Sequence, residues 1–372
     1  MTTRAADVAL FTPAFTIGGV ERMRLNIAQG LLDEGLTVDI VCLQATGPLL
    51  SEVPEGARIV DLKAPRMVQA LPALRRYFRG PTAPRAFLSA LDYANLVALL
   101  ARRAAGRGPR VYIGTHKVLS VATRESTLFR EKHIMPPLLR RTYPWADGIV
   151  AVSDGIADDL ASYLGLDRDR ITVINNPALT DKVLRLAAAP SGHPWLDDPA
   201  QAKHTLVSVG RLDRQKDFPT LMRAVARARA TRPLRCVIVG EGGSRPDLEA
   251  IRADLGLEDA VDLPGFAKNP WAFMARAAAF VSSSAWEGFG NVHVEALGVG
   301  CPVISTDSPS GPADILKNGE IGPLVEIGDD AALAQAILDT LANPKPKALL
   351  QARGRDFHVS QVIKTYRQLM QV

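Results

Sequence analysis

The stretch Glu287-Gly288-Phe289-Gly290-Asn291, continued by Glu295-Ala296-Leu297-Gly298, carries the strongest signal in the sequence. It follows a predicted strand and runs into the pattern of a helix start. Glycines let backbone N–H groups approach a ligand closely, and the free N–H groups of a helix start favour an anion such as a diphosphate. Glu295, about one turn into the helix, can reach the vicinal hydroxyls of a ribose, and Glu287 can face a sugar ring. The alternative interpretation is an ordinary glycine-rich loop and a solvated helical glutamate.

A second signal lies earlier in the chain. Gly210-Arg211-Leu212 follows the predicted strand Thr205–Val209, and Lys216 comes five residues after Arg211. This spacing places two cations at the carboxyl end of a strand. A leaving nucleoside diphosphate requires such cations, because the departing negative charge must be neutralised. The alternative is that both side chains only solvate the surface.

A third glycine motif, Gly240-Glu241-Gly242, follows another apolar strand. It indicates a tight turn beside a nucleotide base. Arg245 occupies the place of the third glycine in a dinucleotide fingerprint, which disfavours NAD as a ligand.

Apolar β-rich runs alternate with helical patterns along the chain, which is typical of parallel βαβ architecture. Two such series, separated by the connector 181–204, predict an α/β fold of two Rossmann-like domains. We expect an N-terminal domain over residues 1–180, with the C-terminal helix 357–372 packed back on it, and a C-terminal domain over residues 181–356. Doubly wound sheets bind ligands beyond the carboxyl ends of their strands. The sequence therefore predicts two facing domains with the active site in the cleft between them.

The predicted strands of the two domains are Val8–Phe11, Val38–Leu43, Val111–Gly114, Gly148–Val152 and Ile171–Ile174, then Thr205–Val209, Cys236–Gly240, Val261–Leu263, Ala279–Ser282 and Val303–Thr306. In the first domain, Gly18-Gly19 forms a glycine turn between strand and helix that can approach a phosphate or an acceptor. His116 follows a strand and is expected to point into the cleft. Ser153 is better explained as a helix cap.

The composition is that of an ordinary globular α/β protein, with 372 residues of which 47% are hydrophobic and 22% charged. Cys42, Cys236 and Cys301 lie far apart in apolar segments, which favours neither a metal site nor a disulfide framework and suits a reducing cytoplasm. Polar residues and glycines interrupt the amino terminus before a signal-peptide core could form. The apolar stretch Phe87–Ala101 is too short to span a bilayer. We expect a soluble or peripheral protein.

The basic residues are unevenly distributed. Residues 63–145 contain sixteen Lys or Arg against three acidic residues, a net +13, whereas the whole chain carries only +5. This local excess of positive charge implies an anionic partner, such as a membrane surface, a lipid diphosphate or a nucleic acid. Apolar residues are interleaved over Met67–Phe78, which Pro72 is expected to break as a helix, and over Ile134–Leu139. No recognised nucleic-acid-reading motif is present, so no nucleic acid is expected.

These motifs resemble the GT-B family of retaining glycosyltransferases called family 4. The resemblance covers nearly the whole chain and rests on the phrases GGVERMRLNIAQGLLDEGLTVDIV, AVSDGIADDL, VINNP, VGRLDRQKDF, IVGEGG, LPGF and EGFGNVHVEALGVGCPVISTD. One departure is Asp217, where the family more often has glycine after the lysine.

The resemblance implies a role for each matching position. Arg211 and Lys216 bind the donor diphosphate, Glu295 binds the ribose hydroxyls, and Gly19 faces the diphosphate. The donor sugar is bound by Glu287 and by the backbone from Gly288 through Phe289 and Gly290 to Asn291, with His116 beside the transferred sugar. Gly210, Gly240 and Glu241 are expected to line the donor site. Such enzymes use front-face substitution, in which the leaving phosphate accepts the acceptor proton.

The resemblance also implies substrates and partners. No metal and no cofactor are expected from the resemblance, because the nucleotide sugar is a substrate. The phrase 308–316, SPSGPADIL, resembles a subgroup that extends lipid-linked or envelope polysaccharides from UDP-hexose or UDP-N-acetylhexosamine. We expect a UDP-sugar donor, a glycan or lipid-linked glycan acceptor, and a place in the cytoplasm or on the cytoplasmic face of the inner membrane. A sugar-nucleotide epimerase and an inert partner subunit remain alternatives.

Overall fold

The computed structural model describes residues 4–16 and 18–372, and the chain divides into two compact units. Unit 1 comprises Met1–Pro177 together with Val359–Val372, and unit 2 comprises Ala178–His358. The boundaries expected from the sequence, at residues 180 and 357, lie within a few residues of these.

The described part of unit 1 is a parallel sheet with helices on its faces. Its strands are β1 Val8–Phe11, β2 Val38–Cys42, β3 Arg58–Asp61, β4 Ala86–Ala90, β5 Arg110–Thr115, β6 Gly148–Ala151 and β7 Ile171–Val173. Its α-helices are α1 Gly19–Asp33, α2 Ala70–Arg79, α3 Asp92–Ala105, α4 Leu119–Glu125, α5 Met135–Thr142 and α6 Asp154–Leu164, with a π-helical turn at Arg130–Ile134. The strand order is β3-β2-β1-β4-β5-β6-β7. The order reverses at β1, which pairs with β2 on one side and β4 on the other.

The described part of unit 2 repeats this arrangement. Its strands are β8 Thr205–Val209, β9 Arg235–Val239, β10 Val261–Gly265, β11 Ala279–Ser282, β12 Val303–Thr306 and β13 Leu324–Val325, in the order β10-β9-β8-β11-β12-β13. Its α-helices are α7 Asp181–Ala187, α8 Pro194–Asp197, α9 Pro199–Ala202, α10 Phe218–Arg229, α11 Arg245–Asp254, α12 Pro270–Met274, α13 Asn291–Val299, α14 Pro312–Leu316, α15 Asp330–Ala342 and α16 Lys347–Arg355. Here the order reverses at β8.

The last helix, α17 Val359–Met370, belongs to unit 1 and packs against α1. Ile363, Tyr366 and Met370 are buried in the same apolar cluster as Leu31 of α1. The contact needs a glycine on α1, because a Cβ at Gly30 would stand 2.7 Å from Val359 Cγ2.

The apolar stretch Phe87–Ala101 is two elements rather than one. Its start belongs to strand β4 beside β1, and its remainder belongs to helix α3. The break lies at Leu91, whose φ of 74° is left-handed. Neither glycine nor proline marks this break, so the sequence pattern did not predict the strand.

One expectation is wrong. Helix α2 is continuous, because Pro72 lies in its first turn, where a missing N–H breaks no helical hydrogen bond. The connector 181–204 is largely helical, since it contains α7, α8 and α9. It is anchored in unit 2 by the His193 ring, whose Nε2 lies 2.9 Å from Asp262 Oδ2. The expected cap at Ser153 is confirmed, because its side chain accepts a hydrogen bond from the Ile156 N–H.

Candidate donor site in unit 2

The predicted donor residues follow neighbouring strands of one sheet. Strand β8 leads to Gly210-Arg211-Leu212, β9 to Gly240-Glu241-Gly242 and β11 to the loop 283–290 before α13. Because parallel strands end at the same edge, these loops meet at the carboxyl edge around β8, where the strand order reverses.

A buried ion pair joins the two strongest sequence motifs. Lys216 Nζ lies 2.5 Å from Glu287 Oε1, and the two side chains are only 16% and 8% exposed. Glu287 also accepts a hydrogen bond from Ser284 Oγ at 2.7 Å. Burial, the largest single effect, raises the pKa of Glu287, but the charge of Lys216 and the hydrogen bonds from Lys216 and Ser284 act against it, and the pKa lies below its ordinary value. Glu287 is therefore an ionised carboxylate that faces a cation.

The loops carrying this pair are braced against each other. Gln215 Nε2 donates to the Trp286 carbonyl at 2.9 Å, and the Ala285 N–H donates back to the Gln215 carbonyl at 2.8 Å. Ser283 Oγ donates to the Lys216 carbonyl at 2.8 Å. No local pattern marks Ser283 or Trp286 as part of the site, because these bonds join segments about 70 positions apart.

Arg211 differs from Lys216 in its surroundings. Its side chain is 76% exposed and pairs with Asp213 at 3.2 Å. A weaker contact of 3.4 Å joins its Nη2 to Gln215 Oε1. The structure therefore holds one predicted cation inside the loop and leaves the other at the surface, where it is able to reorient toward an anion.

The two glycines of Gly240-Glu241-Gly242 allow this turn to pack on the Arg211 loop. A Cβ at Gly240 would stand 1.8 Å from the Gly210 carbonyl oxygen, and a Cβ at Gly242 would stand 2.3 Å from that of Leu212. The Leu212 N–H donates to the Glu241 carbonyl at 2.9 Å. The Glu241 carboxylate pairs with Arg245 at 2.8 Å. This turn therefore packs against the Arg211 loop and holds its backbone in place.

Asp217 stands where glycine is more common because the chain is left-handed there. Its φ is 43° and its ψ is 47°. Glycine adopts this conformation without strain, and aspartate tolerates it better than most residues. Its carboxylate Oδ2 accepts a hydrogen bond from Thr220 Oγ1 at 2.7 Å, in the first turn of α10. The substitution therefore keeps the turn that positions Lys216.

The glycine-rich loop enters α13 through Gly290, whose φ is 92°. Asn291 is the first residue of the helix, and Glu295 lies in its second turn with 7% of its surface exposed. The Phe289 ring packs edge-on against the Phe357 ring, with 5.6 Å between the ring centroids. Only the backbone of Phe289 is therefore available to a nucleotide-sugar donor. Gly288, Gly290 and Asn291 keep the predicted position at the helix start.

His293, which the sequence analysis did not single out, anchors this helix start. Its Nδ1 lies 3.1 Å from the Gly290 carbonyl oxygen, and its Nε2 lies 2.9 Å from Ser305 Oγ. Burial lowers the pKa of His293 to about 4, so the imidazole is neutral. Because a carbonyl oxygen only accepts, Nδ1 carries the hydrogen of this neutral ring.

The phrase 308–316 supports the same loop. Ser310 Oγ donates to the Gly288 carbonyl at 2.9 Å. Gly311 has a φ of 96°, and a Cβ there would stand 2.1 Å from the Phe289 carbonyl oxygen. Gly319 has nearly the same φ, 95°, but a Cβ there would meet nothing within 4 Å.

We expect Gly311→Ala to lower the stability of unit 2 and to weaken nucleotide binding. The clash with Phe289 adds to the backbone strain, so the free energy of unfolding should fall by about 2–4 kcal/mol. Urea unfolding measures this loss. Gly319→Ala is the matched control, because it carries the strain without the clash and should cost only about 1 kcal/mol. Equal losses in the two variants would contradict the packing role of Gly311.

The two predicted residues of the first domain lie in unit 1. Gly19 is the first residue of α1, and Gly18 is its N-cap. His116 follows β5 and is partly buried, and burial together with the charge of Arg24 lowers its pKa to about 3. Its imidazole is therefore neutral, able to hydrogen-bond a sugar hydroxyl but not to supply a positive charge.

No group of three or more His, Cys, Asp or Glu side chains within residues 4–16 and 18–372 is arranged to hold a metal ion. The three cysteines are buried, and burial raises the pKa of each thiol to about 12. They are therefore poor nucleophiles and poor metal ligands. Across the same described residues, no helix is both long and apolar enough to cross a membrane.

The chain has two doubly wound parallel sheets, and the second carries a cation–carboxylate pair where its strand order reverses. This arrangement defines a protein of the GT-B class. Sequence models of "Glycosyltransferase Family 4" and "Glycosyl transferases group 1" match residues 17–182 and 198–357. The chain belongs to glycosyltransferase family 4.

Curated relatives carry related names. The N-acetylgalactosamine-N,N'-diacetylbacillosaminyl-diphospho-undecaprenol 4-alpha-N-acetylgalactosaminyltransferase of Campylobacter jejuni is 30% identical over 68% of this chain and 66% of its own length. The lipopolysaccharide core biosynthesis glycosyltransferase LpsE of Rhizobium meliloti is 35% identical over 58% of this chain and 60% of its own length. The matched part thus spans less than two thirds of each relative.

Solved structures share the fold. HepE from Anabaena in complex with UDP has a TM-score of 0.77 at 19% identity, covering 97% of this chain and 98% of its own. The apo form of the lipopolysaccharide outer core galactosyltransferase WaaB has a TM-score of 0.72 at 21% identity, with the same coverage. At these identities the likeness shows the GT-B fold alone.

Proposed function

We propose that the protein is a retaining, metal-independent glycosyltransferase that moves a hexose or N-acetylhexosamine from a UDP-sugar to a lipid-linked or envelope glycan. The observation that carries this proposal is the buried Lys216–Glu287 pair at the carboxyl edge of unit 2. A cation held there by a carboxylate is preorganised for a diphosphate, because its position costs no reorganisation when charge develops.

The proposed chemistry is front-face substitution. The bond from the sugar's C1 to the diphosphate oxygen breaks, and a bond from C1 to an acceptor oxygen forms on the same face. The acceptor's proton passes to the departing phosphate oxygen. Lys216 and Arg211 neutralise that phosphate, and the N–H groups at the start of α13 add to the positive electrostatic potential around it. Glu287 orients the sugar and Glu295 the ribose.

The choice of donor and acceptor rests on similar proteins. HepE binds UDP in its crystal structure, and the Campylobacter relative is named for a diphospho-undecaprenol acceptor. We infer a UDP-sugar donor in unit 2 and a lipid-linked or envelope glycan acceptor on unit 1, at the cytoplasmic face of a membrane.

Thermal-shift measurements with UDP-, GDP- and ADP-sugars test the donor assignment, because a ligand stabilises the native state in proportion to its occupancy. We expect UDP-sugars to raise the Tm and the other two classes to have little effect. Product analysis with the donor alone then separates transfer from epimerisation. A new sugar nucleotide in that reaction would favour the epimerase, and no response to any donor would favour an inert subunit.

We expect full transfer activity in EDTA, because side-chain cations and a helix start meet the diphosphate charge. The anomeric configuration of the product, read by NMR, should match that of the donor. Loss of activity on chelation with recovery on adding a divalent metal would contradict this prediction.

We propose residues 128–141 of the basic segment as a candidate membrane surface. Leu128, Phe129, Ile134 and Leu138 are 53%, 70%, 44% and 39% exposed. Exposed basic residues lie among them: Arg130, Lys132, Arg140 and Arg141. The interleaved residues of α2 are less suited, because Leu74 and Phe78 lie in the core. Basic heads beside exposed apolar side chains suit the headgroup boundary of an anionic membrane.

We expect the protein to float with anionic liposomes at low salt and to detach at high salt. Each basic residue near an anionic leaflet contributes about 1 kcal/mol, so Arg140→Ala/Arg141→Ala should weaken binding roughly 30-fold. Lys317→Ala/Lys345→Ala is the control, because it removes the same charge from exposed sites of unit 2. If the protein fails to float even at low salt, a soluble acceptor becomes the better proposal.

A further inference from the structure

One member of the apolar stripe of α1 is an arginine. Ile27, Ala28 and Leu31 of this stripe are buried against the sheet of unit 1. Arg24 lies one turn before Ile27 and Ala28 and is only 3% exposed. An apolar side chain is expected at such a position, because a guanidinium there gives up its hydration.

Two donors of Arg24 are enclosed without a partner among the described residues. Within the part of the chain that the structure describes, neither Nε nor Nη2 has a hydrogen-bond partner, and both atoms are enclosed. Burial lowers the pKa of Arg24 to about 10, although Tyr366 and Glu21 favour its charge, so it is a cation at neutral pH. Glu21 itself is engaged by Thr16 Oγ1 at 3.3 Å. A buried guanidinium with two unsatisfied donors is strongly unfavourable, which indicates that an acceptor such as an anion is missing.

Two further polar groups lie on the same side of the sheet. Val8 and Leu10 of β1 and Tyr112 of β5 face the cluster that contains α1. Side chains alternate between the two faces of a strand. Thr12 is two positions after Leu10, and His116 is four positions after Tyr112, so both are on this face. Thr12 Oγ1 and His116 Nδ1 are enclosed and lack hydrogen-bond partners among the described residues.

We propose that Arg24, with Thr12 and His116, binds a phosphate oxyanion at the carboxyl edge of unit 1's sheet. Nε and Nη2 form one edge of the guanidinium fork, which matches two oxygens of one phosphate. The threonine hydroxyl and the neutral imidazole supply further hydrogen bonds. His116 is only partly buried, so this edge is reachable from solvent. The strand order reverses at β1, where doubly wound sheets bind ligands.

The source of the phosphate rests on the proposed function. It is either the diphosphate of a lipid-linked acceptor or the diphosphate of the nucleotide sugar. Three probes separate these sources: inorganic pyrophosphate reports the shared chemistry, farnesyl diphosphate stands for a polyprenyl acceptor, and UDP stands for the donor. Binding of each is measured by calorimetry at constant ionic strength, so that screening is matched.

The test compares Arg24→Met with Arg107→Met in the full chain. Arg107 is exposed and lies before β5, at the opposite edge of the same sheet, so its replacement makes the same charge change. We expect Arg24→Met to weaken pyrophosphate binding roughly 10- to 100-fold, as for a lost charge-assisted contact, and Arg107→Met to leave it unchanged. Without ligand, Arg24→Met should melt no lower than wild type, because it removes a buried charge and two unsatisfied donors.

Loss of farnesyl diphosphate binding in Arg24→Met assigns the site to the acceptor, and loss of UDP binding assigns it to the donor. Arg24→Lys keeps the positive charge but loses the planar guanidinium, so we expect it to weaken pyrophosphate binding as well. This variant replaces Arg24→Met in the test if the methionine variant fails to fold. The proposal is overturned if neither variant changes binding of any probe, or if ligand-free Arg24→Met melts well below wild type. Lys216→Met, assayed with UDP in parallel, reports on the proposed function independently.

Discussion

Replacing Lys216 by methionine is expected to abolish most transfer activity. The change keeps the aliphatic stem that packs on Gly210 and removes only the charge. Loss of the charge that neutralises the leaving diphosphate should raise the barrier by about 2–4 kcal/mol, which lowers kcat by about 10²–10³. Steady-state kinetics with the UDP-sugar that gives the largest thermal shift measures this effect.

The structure adds a stability effect that the sequence did not predict. Without Lys216, the buried carboxylate of Glu287 has lost its counter-ion, which should cost about 3 kcal/mol. Lys216→Met/Glu287→Gln should recover this stability but not the activity. Arg211→Ala should lose activity at unchanged Tm, because that side chain is 76% exposed. Near wild-type kcat/KM in both single variants would contradict the assigned roles.

Replacing Glu295 by glutamine is expected to weaken UDP binding about 10- to 100-fold. In the proposed function the carboxylate accepts two hydroxyl hydrogens of the ribose, and charge-assisted bonds of this kind are worth about 1.5–3 kcal/mol. Glutamine conserves the volume of this buried side chain, so the fold is expected to survive. Calorimetry with UDP measures the loss.

The ribose itself provides the control for this prediction. Wild type should bind 2′-deoxy-UDP more weakly than UDP, whereas Glu295→Gln should distinguish the two poorly, because the carboxylate that reads the hydroxyl is absent. Glu320→Gln, an exposed carboxylate in the same unit, should leave both affinities unchanged. An undiminished preference for UDP in Glu295→Gln would place the ribose elsewhere.

The sequence by itself determined the class of fold and most of the donor loops. Alternation of apolar runs and helical stripes predicted parallel sheets, and several strands match residue for residue, including β8, β11 and β12. Glycines at strand ends predicted turns, because only glycine fits where one backbone approaches another, as at Gly240. These signals are local, so a single sequence contains them.

Tertiary structure alone decided which distant groups meet. Lys216 and Glu287 are 71 residues apart, and their pairing depends on β8 and β11 being neighbours, which no local pattern encodes. The division of Phe87–Ala101 into β4 and α3 depends on a place in the sheet next to β1. No local pattern marks Arg24, whose burial depends on tertiary packing. Burial is a property of the assembled core, and it turned a solvated charge into one that needs a counter-ion.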